Sequence, residues 1–118
     1  MTFQSCDLVM VPFPFSHLNT AKKRPVLVLT MPDQRGDFIG LAITSIPTVQ
    51  CALEIDINVM IEGSLPKQSW LRLYKIFTLN TYRVIGVCAR VKPAFRLLVL
   101  QQLCANLHHD GQFSLRES

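Results

Sequence analysis

The stretch KKRPVLVLT, residues 22–30, places three cations and a proline directly against a run that suits a buried strand. Residues 26–29 are the apolar, partly β-branched side chains that a central strand needs. A buried strand gains nothing from cations at its end. They form either a solvated edge that prevents aggregation or a rigid rim where a guanidinium faces an anion. The stretch alone favours the solvated edge.

The length and composition predict one globular domain over residues 1–118. The chain has 49% hydrophobic and 17% charged residues, which excludes a disordered chain. We expect no membrane association, because no apolar run is long enough to span a bilayer. The sequence starts without a charged segment followed by an apolar run, so we expect a cytoplasmic protein. The net charge of +4 permits a polyanionic partner without demonstrating one.

The cysteines and histidines do not predict a metal site. The four cysteines are scattered without a CxxC motif, which argues against zinc and against a disulfide framework. His108 and His109 are adjacent, and adjacent side chains diverge on a helix, so they indicate solvated surface. The cysteines and histidines therefore give no sign of a metal site.

The hydrophobic pattern predicts a mainly β fold of five or six antiparallel strands, curled into a small barrel, with a C-terminal helix. Pro12 and Pro14 are expected either to end the first strand or to lie where it is a sheet edge, because proline cannot donate to a ladder. The segment ALEIDINVMI alternates cleanly and predicts one half-buried strand. From Pro93 the apolar period becomes helical, and the apolar stripe is wide enough to pack on the sheet, on a second subunit, or on both. The predicted strands run over residues 7–12, 24–31, 38–46, 52–61, 69–76 and 82–91.

Three ordered stretches carry a resemblance to a known family: DLVMVPFPFSHLNTAKKRPVLVLT (7–30), DFIGLAITS (37–45) and LPKQSWLRLYKIFTLN (65–80). They resemble the PemK/MazF-like toxins, the ribosome-independent mRNA endoribonucleases of bacterial toxin–antitoxin pairs. The resemblance covers most of the chain and is weakest after residue 80. It implies an SH3-like barrel, a homodimer, no metal or cofactor, a single-stranded RNA substrate and a cognate antitoxin. Contact with DNA is expected only through the antitoxin complex.

The same resemblance assigns residues to the chemistry. Arg24 matches the family's catalytic arginine, Thr44 its catalytic threonine, and Arg72 a position where part of the family has an active-site arginine. The implied reaction is attack by the ribose 2′-hydroxyl, which leaves a cyclic phosphate and a 5′-hydroxyl. Fixed arginines suit it, because the phosphorane gathers negative charge and a planar guanidinium grips two oxygens. On this reading the strand fixes Arg24 while the preceding loop covers the polyanion.

The proton acceptor is less well defined by the sequence. Many relatives have an aspartate where this chain has Tyr74, whose ordinary pKa near 10 makes a poor base at neutral pH. Tyr74, expected to share a strand face with Arg72, could instead stack on a base. His17 is the histidine placed near the site and has a suitable ordinary pKa, although a solvated loop histidine is the simpler interpretation.

Further side chains complete the predicted site. RNA contacts are assigned to Lys22, Lys23, Ser45 and Lys67, with the first two contacting backbone phosphates. Trp70 is expected in the core or at the dimer interface.

Two other functions stay open on the sequence. One is a catalytically weak or inactive relative that acts as a binding or regulatory module, which the tyrosine at position 74 suggests. The other is a gyrase-poisoning toxin on the same fold, which would act through a tryptophan near the chain end. The absence of tryptophan after Trp70 counts against it.

Overall fold

A computed structural model describes residues 2–14 and 21–117, except for the side chains of 13–14, 21 and 109–117. It contains seven strands and one long helix, which confirms the predicted mainly β fold with a C-terminal helix. The count of five or six strands was wrong by one or two. The strands are β1 (Asp7–Pro14), β2 (Ala21–Val28), β3 (Asp37–Thr44), β4 (Ala52–Ile55), β5 (Met60–Gly63), β6 (Ser69–Asn80) and β7 (Gly86–Val91), followed by α1 (Pro93–Glu117).

The seven strands form one antiparallel sheet in the order β4-β6-β3-β2-β1-β7-β5. Its two edge strands, β4 and β5, are joined by residues 56–59 alone. The five residue steps from Ile55 to Met60 span at most about 17 Å even when fully extended. A flat sheet would separate its edges by six strand spacings, about 29 Å. The sheet therefore curls until its edges meet.

Alternating side chains on the curled sheet supply two apolar clusters. The inner cluster takes residues from all seven strands and is covered by three helix residues spaced four apart, Phe95, Val99 and Leu103. The outer cluster covers β1, β2 and β3 and includes Phe3 and Val84. Both faces of these central strands are therefore buried, as their apolar runs require. Among the described residues no helix is both long and apolar enough to cross a bilayer.

The helix carries a second apolar group that the inner cluster does not use. Leu97, Leu98 and Leu107 are 57%, 40% and 49% exposed. The predicted wide stripe thus consists of residues that pack on the sheet and leucines that stay exposed at other positions around the helix. The guanidinium of Arg96 ties the start of α1 to the end of β2, because it donates two hydrogen bonds to the carbonyl oxygen of Leu29, at 2.9 and 3.3 Å.

The ends of the first two strands differ from the prediction. The first strand continues through Pro12 and Pro14, and the second begins at Ala21 rather than at Arg24. The two strands pair as a hairpin from Leu8–Leu27 out to Pro14–Ala21. Prolines are tolerated where a strand is bonded on one side only. The three cations thus lie within β2 rather than in the loop before it.

The segment 52–61 is not one strand. It divides into β4, a 3₁₀ turn over Ile57–Val59, and β5, which lie at opposite edges of the sheet. Asp56 ends β4, because its carboxylate accepts a hydrogen bond from the backbone N–H of Asn58 at 2.8 Å and caps the turn. Ile57, which the alternation of this segment would place on the same face as buried Ile55, is consequently 68% exposed.

The later strands also have different bounds. β6 runs to Asn80, four residues beyond the prediction, and β7 begins at Gly86 because a 3₁₀ turn occupies Thr81–Arg83. The side chain of Asn80 caps this turn by accepting from the N–H of Tyr82 at 3.1 Å. Capping by an Asx side chain thus places a turn over residues that were predicted to open the last strand.

Candidate active site

Arg24 and Thr44 lie at neighbouring ends of two adjacent central strands. The last backbone pair between β2 and β3 is Val26–Ala42. Continuing this register by two residues aligns Arg24 with Thr44. Side chains alternate along a strand, so both residues share the outer face with Val26 and Ala42. A guanidinium and a hydroxyl thus extend from the neighbouring ends of β2 and β3 on one face of the sheet.

Pro25 accounts for the local shape of this site. Residues 21–25 of β2 pair with β1, whereas the ladder to β3 starts only at Val26. Proline lacks the N–H that a ladder on both sides would need. The ends of β2 and β3 beyond Val26–Ala42 therefore carry Arg24 and Thr44 outside the ladder, with backbone and side-chain groups facing the space between them.

Arg24 is anchored along its side chain. The residue is half-buried, its Nε atom is buried, and it pairs with Val11, which is fully buried. A guanidinium on a fixed stem loses little conformational entropy when it binds an anion. This is the property that a rigid cationic site requires.

Thr44 combines a structural and a possible chemical function. Its Oγ1 accepts a hydrogen bond from the backbone N–H of Ile46 at 3.1 Å, which orients the hydroxyl at the end of β3. A hydroxyl that accepts one hydrogen bond retains its own proton to donate. The arrangement allows Thr44 to donate to an anion held by Arg24. Ser45 follows it and is exposed.

Arg72 reaches the same outer face from β6. Its neighbours Leu71 and Leu73 are buried in the inner cluster, so alternation directs Arg72 outward, where it is exposed. Two residues earlier, Trp70 pairs with Thr44 on one side and with Glu54 on the other. Arg24, Thr44, Trp70 and Glu54 therefore form one row across four adjacent strands, with Arg72 beside it.

Tyr74 lies in an irregular part of β6. From the register pair Ile43–Leu71 to the register pair Leu41–Ile76, β3 advances by two residues whereas β6 advances by five. The bulge inverts the alternation, because Leu71 belongs to the inner cluster whereas Leu79 packs against the outer one. Tyr74 lies within this bulge and is 46% exposed. Because of the bulge, the two-residue spacing between Arg72 and Tyr74 does not determine whether their side chains lie on the same face of β6.

The predicted RNA contacts differ in their placement. Lys22 and Lys23 are both exposed on β2, and alternation puts Lys22 on the face of Arg24 and Lys23 on the opposite face. Lys67 is exposed in the loop before β6. His17 lies outside the described residues.

Two members of the row were not among the predicted site residues. Trp70 was expected in the core or at a dimer interface, yet it is half-buried on the outer face between Thr44 and Glu54. Glu54 appeared only as one polar member of an alternating strand. Strand pairing brings both beside Thr44, and nothing in the local sequence indicates that pairing. In the described part of the chain, no three His, Cys, Asp or Glu side chains converge as metal ligands would.

Comparison with known proteins identifies the family. Residues 4–107 match the family of PemK-like, MazF-like toxins of type II toxin–antitoxin systems. The match covers most of the chain, and the protein belongs to this family. No curated protein matches the chain.

Two solved structures share the fold at low sequence identity. One is an endoribonuclease in complex with its cognate antitoxin, from a mycobacterial species, with 14% identity and a TM-score of 0.69 over 91% of this chain and 96% of that one. Another is a mycobacterial endoribonuclease with 13% identity and a TM-score of 0.62, covering 90% of each chain. The curled sheet with its C-terminal helix is therefore the fold of these proteins.

Proposed function

We propose that the protein is a toxin that cleaves single-stranded mRNA as a sequence-selective, ribosome-independent and metal-free endoribonuclease. The placement of Arg24, Thr44 and Arg72 on one outer face supports the proposal most directly. Family membership and the names of the similar structures, which are endoribonucleases, support the same reaction. The three residues are the ones that the family resemblance assigned to catalysis.

In the proposed reaction, the ribose 2′-oxygen attacks the adjacent phosphorus and the bond to the 5′-oxygen of the next nucleotide breaks. The products are a 2′,3′-cyclic phosphate and a 5′-hydroxyl. Arg24 and Arg72 bind the non-bridging oxygens, whose negative charge increases in the transition state. The Thr44 hydroxyl donates a hydrogen bond to the same phosphate. Lys22, Lys23, Ser45 and Lys67 are proposed to contact the flanking RNA, the lysines through its phosphates.

Proton transfer needs one group to accept the 2′-hydroxyl proton and one to protonate the leaving oxygen. We assign the acceptor to His17 or Tyr74. A pH profile of kcat/KM separates them, since free imidazole titrates near 6.5 and free phenol near 10. An acid limb near the imidazole value that His17→Ala abolishes would identify the histidine, whereas an acid limb near the phenol value that Tyr74→Phe abolishes would identify the tyrosine.

The assembly that we propose is a homodimer of single-domain chains, located in the cytoplasm. A cognate antitoxin inhibits it and mediates any contact with DNA. The adjacent exposed leucines of α1, Leu97 and Leu98, support a second subunit, because exposed apolar surface is available there for an interface. The antitoxin in one similar structure supports the partner. Light scattering of the purified protein tests the dimer, and a monomeric mass would overturn it.

The decisive experiment incubates the protein with a long defined RNA in EDTA and maps the cleavage ends. Arg24→Ala is the test variant, and Arg35→Ala is the matched control, because Arg35 is an exposed arginine in the β2–β3 turn, away from the site. Discrete cuts with 5′-hydroxyl ends, present in the control and absent in Arg24→Ala, support the proposal. Cleavage by a folded Arg24→Ala protein would overturn the active-site assignment, and EDTA-sensitive cleavage would overturn the metal-free mechanism.

A further inference from the structure

A small cavity opens where the two edges of the sheet meet. Its volume is about 200 Å³, and two segments of the chain line it, residues 55–60 and residues 64–68. Ile55 and Met60, whose side chains belong to the inner cluster, are among its lining residues. Asp56, Ser64, Lys67 and Gln68 add a polar lining. The cavity is smaller than the sites of drug-sized ligands and fits one ring system or one side chain.

The cavity lies along the outer face from the candidate active site. On β6 and β4 the successive pairs are Arg72–Ala52 and Trp70–Glu54. The next pair on this face, by the same register, is Gln68–Asp56, which lines the cavity. Each step of two residues is about 7 Å, so the cavity begins one step beyond the Trp70 that pairs with Thr44.

The lining is suited to recognising the edge of a base. The Gln68 amide donates to the carbonyl oxygen of Ile55 at 3.3 Å, which holds it at the cavity wall. A carboxylate, a hydroxyl, an amide and an ammonium group together offer acceptors and donors for a Watson–Crick edge and a cation for its phosphate. An apolar side chain of a protein partner would cover the Ser64 hydroxyl and the Lys67 ammonium without offering either a hydrogen bond, whereas a base and its phosphate can bond both. These observations favour a base over an apolar side chain.

We propose that this cavity, which we call the rim cavity (lined by residues 55–57, 60 and 64–68), binds one base of the RNA beside the scissile phosphate and sets part of the sequence selectivity. Trp70 lies between the cavity and Thr44 and provides a stacking surface for the intervening nucleotide. The inference rests on the proposed ribonuclease function and adds a subsite to it.

The test compares base preferences on an RNA library randomised around the cut. Gln68→Ala removes one edge contact, and Ser64→Phe places a ring at an exposed position in the cavity lining. Gln34→Ala is the matched control, because Gln34 is exposed in the β2–β3 turn, at the far end of the strands from Arg24 and Thr44. We expect Gln68→Ala to reduce the preference at one position about tenfold. The control should keep the wild-type preference at every position.

A second arm replaces the recognised nucleotide by an abasic one. Wild-type cleavage should fall about tenfold, whereas Ser64→Phe, whose cavity is filled, should show no further loss. Unchanged preferences in both variants would overturn the inference. Unchanged RNA preference with weakened binding of the antitoxin would assign the cavity to a protein partner and also overturn it.

Binding measurements keep the two proposals separable. Fluorescence anisotropy of the same oligonucleotides with the Arg24→Ala protein reports base recognition without requiring cleavage. If wild-type protein does not cleave RNA but the abasic substitution still weakens binding, the proposed function fails and the base site stands. If binding does not depend on that base, the base site fails.

Discussion

Gly40 is the position where a single methyl group should disturb the packing of β2 on β3. A Cβ at Gly40 would collide with Cγ1 of Val26 and lie 3.2 Å from the carbonyl oxygen of Leu27. Val26 is fully buried in the outer cluster, two residues from Arg24. Gly40 lies on β3, four residues before Thr44. The contact therefore sets the packing of the two strands that carry the candidate site.

The expected change in the free energy of unfolding combines a cost of overpacking with a gain from restricting the unfolded chain. Overpacking costs about 1–3 kcal/mol, offset by about 0.4–1 kcal/mol because alanine restricts the unfolded chain. We expect Gly40→Ala to lower the free energy of unfolding by about 1–2 kcal/mol. Val26→Ala removes two methyl groups and leaves a cavity, for a cost of about 2 kcal/mol. In the double variant the new methyl occupies the vacated space, so the combined cost should be about 2 kcal/mol rather than 3–4.

Urea unfolding of the wild-type protein, Gly40→Ala, Val26→Ala and the double variant, at equal protein concentration, measures the coupling between the two positions. Equal m-values and a double variant that is 1–2 kcal/mol more stable than additivity predicts would support the contact. Gly40→Ala combined with Val99→Ala is the control, because Val99 is fully buried in the other cluster, and that pair should be additive. Additivity within about 0.5 kcal/mol in the Gly40–Val26 pair would refute the reasoning.

The remaining predictions concern the candidate site and the thiols. Thr44→Val should lower kcat on a defined RNA about 10- to 100-fold, because a hydrogen bond to a charged phosphate is lost. Thr44→Ser keeps the hydroxyl and should retain kcat within a few-fold of wild type. Equal kcat values for the valine and serine variants would exclude a catalytic function of the hydroxyl. Tyr74→Asp should match or exceed wild-type cleavage, and a clear loss would give the tyrosine a positive function. Burial raises the pKa of the Cys6 and Cys88 thiols, so less reactive thiolate is present at pH 8. Iodoacetamide should therefore label exposed Cys104 before Cys6 and Cys88, which mass spectrometry of the labelled protein can measure. The difference in labelling rate between these thiols should become smaller as the pH rises. Equal labelling rates at pH 8 would contradict the burial of Cys6 and Cys88.

The fold was largely predictable because most of its signals are local. The apolar run after Pro25 gave the central strand, and the helical period beginning at Pro93 gave α1. The prediction failed where a side chain ended an element that the pattern continued. Asp56 divides 52–61 into two strands at opposite edges, since one capping bond and the closure of the sheet outweigh a clean alternation.

The candidate site was predictable to a lesser extent. Arg24, Thr44 and Arg72 came from a family motif, and the structure places them on one face. Trp70 and Glu54 enter the row through strand pairing between residues far apart in the chain. The sequence holds no local record of that register, so hydrophobic patterns could not reveal these two neighbours.

The pairing of β1 with β7 affects how the protein folds during synthesis. Asp7 and Arg90 are register partners 83 residues apart, joined by a 2.8 Å bond between Oδ1 and Nε. A contact between such distant residues forms slowly, because closing a long loop costs entropy before the contact can compensate. β1 therefore lacks one of its neighbours until about three quarters of the chain has left the ribosome. The order of synthesis therefore leaves one side of β1 unpaired after β2 and β3, which carry Arg24 and Thr44, have already been made.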